Sequence, residues 1–130
     1  MSGPLIFISH SKVKPGKLAE YQEHVTEAAD LVESNEPRMI AFNSYASEDG
    51  TDVSTVQVHP DAESLDVHLK IFTENLQAKA FGALDSSEVN VYGEPSESAR
   101  QQLEQMAAMT GIRVRIVPVH QGGFLRPQPL

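Results

Sequence analysis

The sequence predicts an α+β fold: a ferredoxin-like βαββαβ sandwich that pairs with a second copy to form a barrel, extended by a C-terminal helix and strand. Three observations predict it. The 130 residues are 40% hydrophobic and 22% charged, which is the make-up of one globular domain with its own core. The hydrophobic period switches between two and about 3.6 in the order strand, helix, strand, strand, helix, strand. Right-handed crossovers then place both helices on one face of a four-stranded sheet.

Pro4 to Val13 alternates and is rich in β-formers, so it reads as the first strand, closed by Pro15-Gly16. From Lys17, the residues Leu18, Tyr21, Val25, Ala28 and Val32 recur at helical spacing, with acidic residues between them. Asn35-Glu36-Pro37 ends that helix. Arg38 to Ser47 and Thr51 to His59 form two strands joined around Asp49-Gly50, a strong hairpin signal. Pro60-Asp61 opens the second helix, whose stripe of Leu65, His68, Leu69, Phe72 and Leu76 ends near Gly82. Glu88 to Tyr92 is a short fourth strand. Residues 4–92 thus form the core, and 93–130 an extension of the same domain: a helix over Pro95 to Met109, a strand over Gly111 to His120, and a tail.

Composition excludes several functions. With no cysteine there is no disulfide, thiolate nucleophile or cysteine-ligated metal. A net charge of −8 opposes nucleic acid and anionic membranes as partners. No apolar run approaches the roughly 20 residues of a membrane helix, so a cytoplasmic protein is expected. Charge is unevenly distributed: six Lys/Arg against fifteen Asp/Glu up to Tyr92, then four Arg against three Glu from Gly93 onward. Phosphate loops, nucleophile elbows and HExxH pairs are missing, so hydrolase, kinase and dinucleotide-enzyme functions have no support, and no metal site is expected.

Ile6-Phe7-Ile8, Val13-Lys14-Pro15-Gly16-Lys17, Tyr21, Glu36-Pro37 and Asp61-Ala62-Glu63-Ser64-Leu65 leading to His68 occur in a telling order. Over roughly Leu5 to Tyr92 the chain resembles the antibiotic-biosynthesis-monooxygenase-like family of the dimeric α+β barrel superfamily. The resemblance implies a homodimer joined through its sheets, with one small hydrophobic pocket per subunit. It also implies a cofactor-independent monooxygenase that deprotonates a small aromatic hydroxyl or quinol compound and lets the anion react with oxygen. The haem-degrading branch has an asparagine where this chain has Ser9, and a tryptophan and histidine ten residues apart where it has about His68 and Ala78. The chain contains no tryptophan, so that branch is disfavoured.

His68 lies on the apolar stripe of the second helix, where burial favours a neutral imidazole that accepts a substrate proton. The bland alternative is a core histidine bonded to backbone. Asn43 and Tyr45 share one side of their strand, opposite Phe42 and Ser44, and are candidates to orient a phenolate and oxygen or to bond across a dimer interface. His68, Asn43 and Tyr45 are therefore the catalytic candidates; His10, Gln57 and Phe72 are the substrate-binding ones. His10 and His59 stand near strand ends, where partial exposure is usual, and His24 belongs to an acidic, solvated helix face. Arg113, Arg115 and Arg126 suit pairing with carboxylates of the first helix of the same or the partner subunit, or less readily with a ligand anion, and Phe124 is a candidate apolar anchor on the tail. The rival to an enzyme is a non-catalytic small-molecule-binding or structural barrel. An enclosed pocket on the order of a few hundred cubic ångströms lined by His68 and Asn43 favours the enzyme, and a filled core with those side chains bonded to backbone favours the rival.

Overall fold

A computed structural model describes residues 3–126. Ten segments follow one another: β1 (Leu5–Val13), α1 (Leu18–Asn35), β2 (Ala41–Ala46), β3 (Asp52–His59), α2 (Ala62–Ile71), a π-helical turn (Phe72–Leu76), α3 (Gln77–Ala83), β4 (Leu84–Tyr92), α4 (Glu97–Thr110) and β5 (Arg113–Val117). The sheet order is β2-β3-β1-β4-β5. The first four strands are antiparallel neighbours, and β5 lies parallel to β4. This is the ferredoxin-like α+β arrangement the periodicity predicts, with one added strand.

Local chemistry sets the boundaries. Pro37 cannot continue a helix, and the chain leaves α1 through Glu36, whose backbone N–H still bonds Val32 O at 2.8 Å. The β2–β3 hairpin turns at Gly50, held at φ +75° in the left-handed region, and Ser47 Oγ and Thr51 bond the Asp49 carboxylate. Those bonds hold Asp49 down at about 2, well below the usual carboxylate range. Asp61 caps α2 by accepting from Ser64 N at 3.1 Å, and is itself paired with Arg38. At Gly93 the chain passes so close to Pro4 that a Cβ would sit 2.7 Å from its carbonyl oxygen.

Side-chain alternation divides the sheet into two faces. Leu5, Phe7, Val89 and Val91 point to the helices and form the main core with Leu65, Leu69, Ala99, Leu103 and Ile112. Ile6, Tyr45 and Tyr92 point the other way and are 39, 62 and 38% exposed, leaving a partly apolar open face.

Two expectations need correction. The second helix is not regular: Gln77 N–H bonds Phe72 O, five residues back, giving the π turn. The fourth strand begins at Leu84 rather than Glu88, with a register shift opposite His10 and Ser11 that hides the simple alternation. The last strand is shorter than its expected span and adds to the sheet edge beside β4 of the same chain, with α4 packed into the main core above it. Ser96 fixes α4 twice, accepting from Ala99 N at 3.0 Å and donating to Asp66 of α2 at 2.6 Å.

Leu103 of α4 is 1% exposed. Leu103→Ala is therefore expected to cost about 2–5 kcal/mol in denaturant unfolding, the range for a buried leucine. A cost near zero would mean that the extension does not belong to the core.

Candidate active site

The sheet's helix-facing side carries Ser9, Ser11, Ser44, Thr55, Gln57 and Ser86 at its centre, where a packed core would place large apolar residues. Five of these six are short Ser or Thr side chains that leave space beneath the helices. A cavity of about 130 Å³ remains, with apolar residues of all four helices and the π turn as its roof: Val25, Ala28, Leu69, Phe72, Leu76, Ala80, Phe81, Leu103 and Met106. The floor is thus polar and the roof apolar. Several floor hydroxyls pair with one another, Ser44 with Thr55 at 2.6 Å and Ser11 with Ser86 at 3.1 Å.

At one end stands His68, 3% exposed and one turn before the π segment. Its ring lies between Phe42 and Phe72, with centroid distances of 6.0 and 6.4 Å. Nδ1 is 2.9 Å from Glu36 Oε2, and Glu36 is only 4% exposed. Nε2 has no hydrogen-bond partner among the described residues, and the ring lines the cavity. A histidine tied at Nδ1 by a carboxylate and free at Nε2 is the arrangement of a positioned general base.

Beside it His59 is wholly buried, its ring centroid 6.1 Å from that of His68. His59 Nε2 donates to Gln57 Oε1 at 3.0 Å, and Nδ1 accepts from the Ser64 hydroxyl at 2.7 Å. Burial, helped by the nearby His68, pushes His59 down to about 4 from its ordinary 6.5. It is a neutral relay from the capped start of α2 to Gln57. With Oε1 so occupied, the Gln57 amide nitrogen is left as a donor beside the cavity.

At the other end Tyr21 Oη and His24 Nδ1 are buried without a hydrogen-bond partner among the described residues. Burial, with a contribution from Lys79, lowers the pKa of His24.

The sequence-derived candidates divide between the two faces of the sheet. His68, Gln57 and Phe72 meet in the cavity. Asn43, Tyr45 and His10 lie on the open face, with Tyr45 62% exposed and His10 Nδ1 bonded to Ser54 Oγ at 2.8 Å. The single chain therefore does not bring Asn43 or Tyr45 to His68. His59 is a fully buried structural relay rather than a half-exposed strand-end residue, and His24 is half-buried, bordering an open groove with Glu20, Glu23, Glu27 and Lys79 on one side and the cavity on the other. Arg113 pairs with Glu88 of β4 at 3.1 Å, not with α1, while Arg126 stacks 4.9 Å from the ring of an exposed Phe124. Arg115 points to the open face beside Asn90. The cavity is smaller than the expected size. Among the described residues no cluster of His, Asp and Glu has the form of a metal site, and no helix is long and apolar enough to cross a membrane. Glu36 was missed as a site residue; its one signal was a carboxylate fixed before a proline.

No family model matches the sequence, and no curated protein matches it significantly. Its fold is that of the antibiotic-biosynthesis-monooxygenase-like structures. MupZ from Pseudomonas fluorescens is similar over 98% of this chain and 92% of its own, at 19% identity and a TM-score of 0.72. SnoaB from Streptomyces nogalater, a cofactor-independent oxygenase solved as a point mutant, is similar over 72% and 94%, at 14% identity and 0.59. A proposed antibiotic biosynthesis monooxygenase from Caulobacter crescentus is similar over 69% and 86%, at 17% identity and 0.61. The 98% match has to include α4 and β5, so MupZ shares the extension, whereas the other two shares are close to the length of the β1–β4 core.

His59 makes stability depend on pH. As pH falls from about 6.5 to about 4, the unfolded chain binds a proton at this site that the folded protein refuses, so stability falls across that window and is fully present above it. The loss should be about 2–4 kcal/mol, with His24 adding in the same direction. Urea unfolding at pH 7 and pH 4.5 should show this drop, and His59→Gln should reduce it. An equal drop in the variant would remove His59 as its source.

Proposed function

We propose that this protein is a cofactor-independent monooxygenase that acts on a small aromatic hydroxyl or quinol compound. The observation that carries it is His68 Nε2, free at the end of an apolar-roofed cavity while Glu36 holds Nδ1 at 2.9 Å. In this reading Nε2 takes the hydroxyl proton, and Glu36 stabilises the imidazolium and fixes its orientation. The Gln57 amide donates to the oxyanion, with its own oxygen held by His59. The electron-rich anion then reacts with dioxygen, which is the oxidant: one oxygen atom bonds the ring carbon and becomes the new carbonyl as that carbon's C–H bond breaks. The O–O bond breaks so that the other oxygen leaves as water with that hydrogen and the proton held by His68, and a phenol becomes a quinone.

The cavity's size limits the substrate. About 130 Å³ is close to an apolar hole of about 150 Å³ that accepts benzene, which favours a single ring. The same small size favours the second reading, a barrel that binds a small molecule without transforming it. Asn43 and Tyr45, on the face of the sheet opposite the cavity, would bond across the open face instead, where a second copy would cover Ile6, Tyr45 and Tyr92. Sedimentation equilibrium should therefore return twice the 14.2 kDa subunit mass; a monomer at all concentrations would reject the homodimer.

Oxygen uptake with a panel of phenols and quinols tests the enzyme. His68→Gln should lower the rate by about 10²–10⁴-fold. Glu36→Gln should lower it by at least about tenfold and displace the pH profile, since the base loses its orienting carboxylate. Ligand binding without oxygen uptake by folded wild-type protein would favour the non-catalytic reading.

A further inference from the structure

The reaction above uses one end of the cavity, and the far end holds two polar groups it leaves idle. Tyr21 and His24 stand one turn apart on α1, and both line the same cavity as His68. Tyr21 is 5% exposed, and its hydroxyl has no partner among the described residues; His24 Nδ1 is buried and unpartnered too. Leaving a buried donor or acceptor unbonded costs about 1–3 kcal/mol each. Two such atoms, on side chains one helical turn apart that both line one cavity, are poor packing but a candidate binding site.

Their chemistry defines the complement. The phenol of Tyr21 donates one hydrogen bond and accepts others, while a neutral imidazole nitrogen accepts. A ligand hydroxyl satisfies both at once, receiving from Tyr21 and donating to His24. Between this end and His68 lie the hydroxyl-bearing floor and the apolar roof, which suit the face of a ring. Tyr21 packs against Val53, four residues along β3 from Gln57, or about 13 Å at the strand before side-chain reach is subtracted.

We infer that Tyr21 and His24 form a second recognition pole, so that the ligand is a ring compound with an ionisable hydroxyl at the His68 end and a second hydroxyl at the opposite end. This rests on the phenol reading of the His68 end and adds the ligand's second functional group. Neither Tyr21 nor His24 takes part in the chemistry; both select the substrate.

Calorimetric binding to three pairs of para-substituted probes tests it: phenol and hydroquinone, 4-methylphenol and 4-(hydroxymethyl)phenol, 4-ethylphenol and 4-(2-hydroxyethyl)phenol. The graded lengths allow for the span. In at least one pair the second hydroxyl should tighten binding by about tenfold, the worth of one well-made buried hydrogen bond. Tyr21→Phe should erase the difference within that pair, and His24→Phe provides an independent second variant. Equal affinities within every pair, or a preference that survives both substitutions, would overturn the second pole while leaving the His68 site standing. If no probe binds wild-type protein, the phenol reading itself falls and the second pole with it.

Discussion

A carboxylate taken out of water has to find compensating partners or give up its charge, and Glu36 is 4% exposed with one hydrogen-bonded oxygen. Its partner is His68 Nδ1, on a helix that begins 26 residues further along the chain. This contact ties the end of α1 to the middle of α2 and fixes the height of the roof above the sheet. Pro37 matters for the same reason: by stopping α1 it leaves Glu36 where the side chain turns inward rather than into solvent. Breaking the pair from either side would strand a buried polar group, so geometry and stability are coupled at this point.

The polar floor weakens the core it occupies. Six positions that point at the helices carry Ser, Thr or Gln, and the surface they leave unfilled contributes no apolar burial. The C-terminal extension offsets that loss. Leu103, Met106 and Ile112 close the cavity's side and join the main cluster, and β5 covers the edge of β4. The π turn acts locally on the same cavity, since it runs from Phe72 to Leu76, both of which line it. Such turns frequently occur at functional sites because they re-aim side chains within a helix.

Much of this arrangement could be read from the sequence. The two periods defined the strands and helices in order, and the helical stripe placed His68 facing the sheet. Alternation along β2 also separated Asn43 and Tyr45 from Phe42 and Ser44; it follows that the first pair cannot share a pocket with a residue beneath the helices. What periodicity cannot report is partnership across distant elements. Glu36 and His68 are 32 residues apart with no motif linking them. The π turn and the register shift in β4 arise from tertiary packing, and neither leaves a mark on hydrophobic spacing.

The central claim is that the Glu36–His68 contact leaves Nε2 as the reactive atom facing the cavity. Nitrogen-15 NMR of the histidine side chains at neutral pH tests it directly, with His68→Gln used to assign the resonances. The account predicts a proton on His68 Nδ1, directed at Glu36, in the neutral and the charged ring alike, and an Nε2 resonance that moves when a phenol binds. A ring protonated only at Nε2, with Nδ1 bare and accepting from a neutral Glu36 carboxyl, would contradict it.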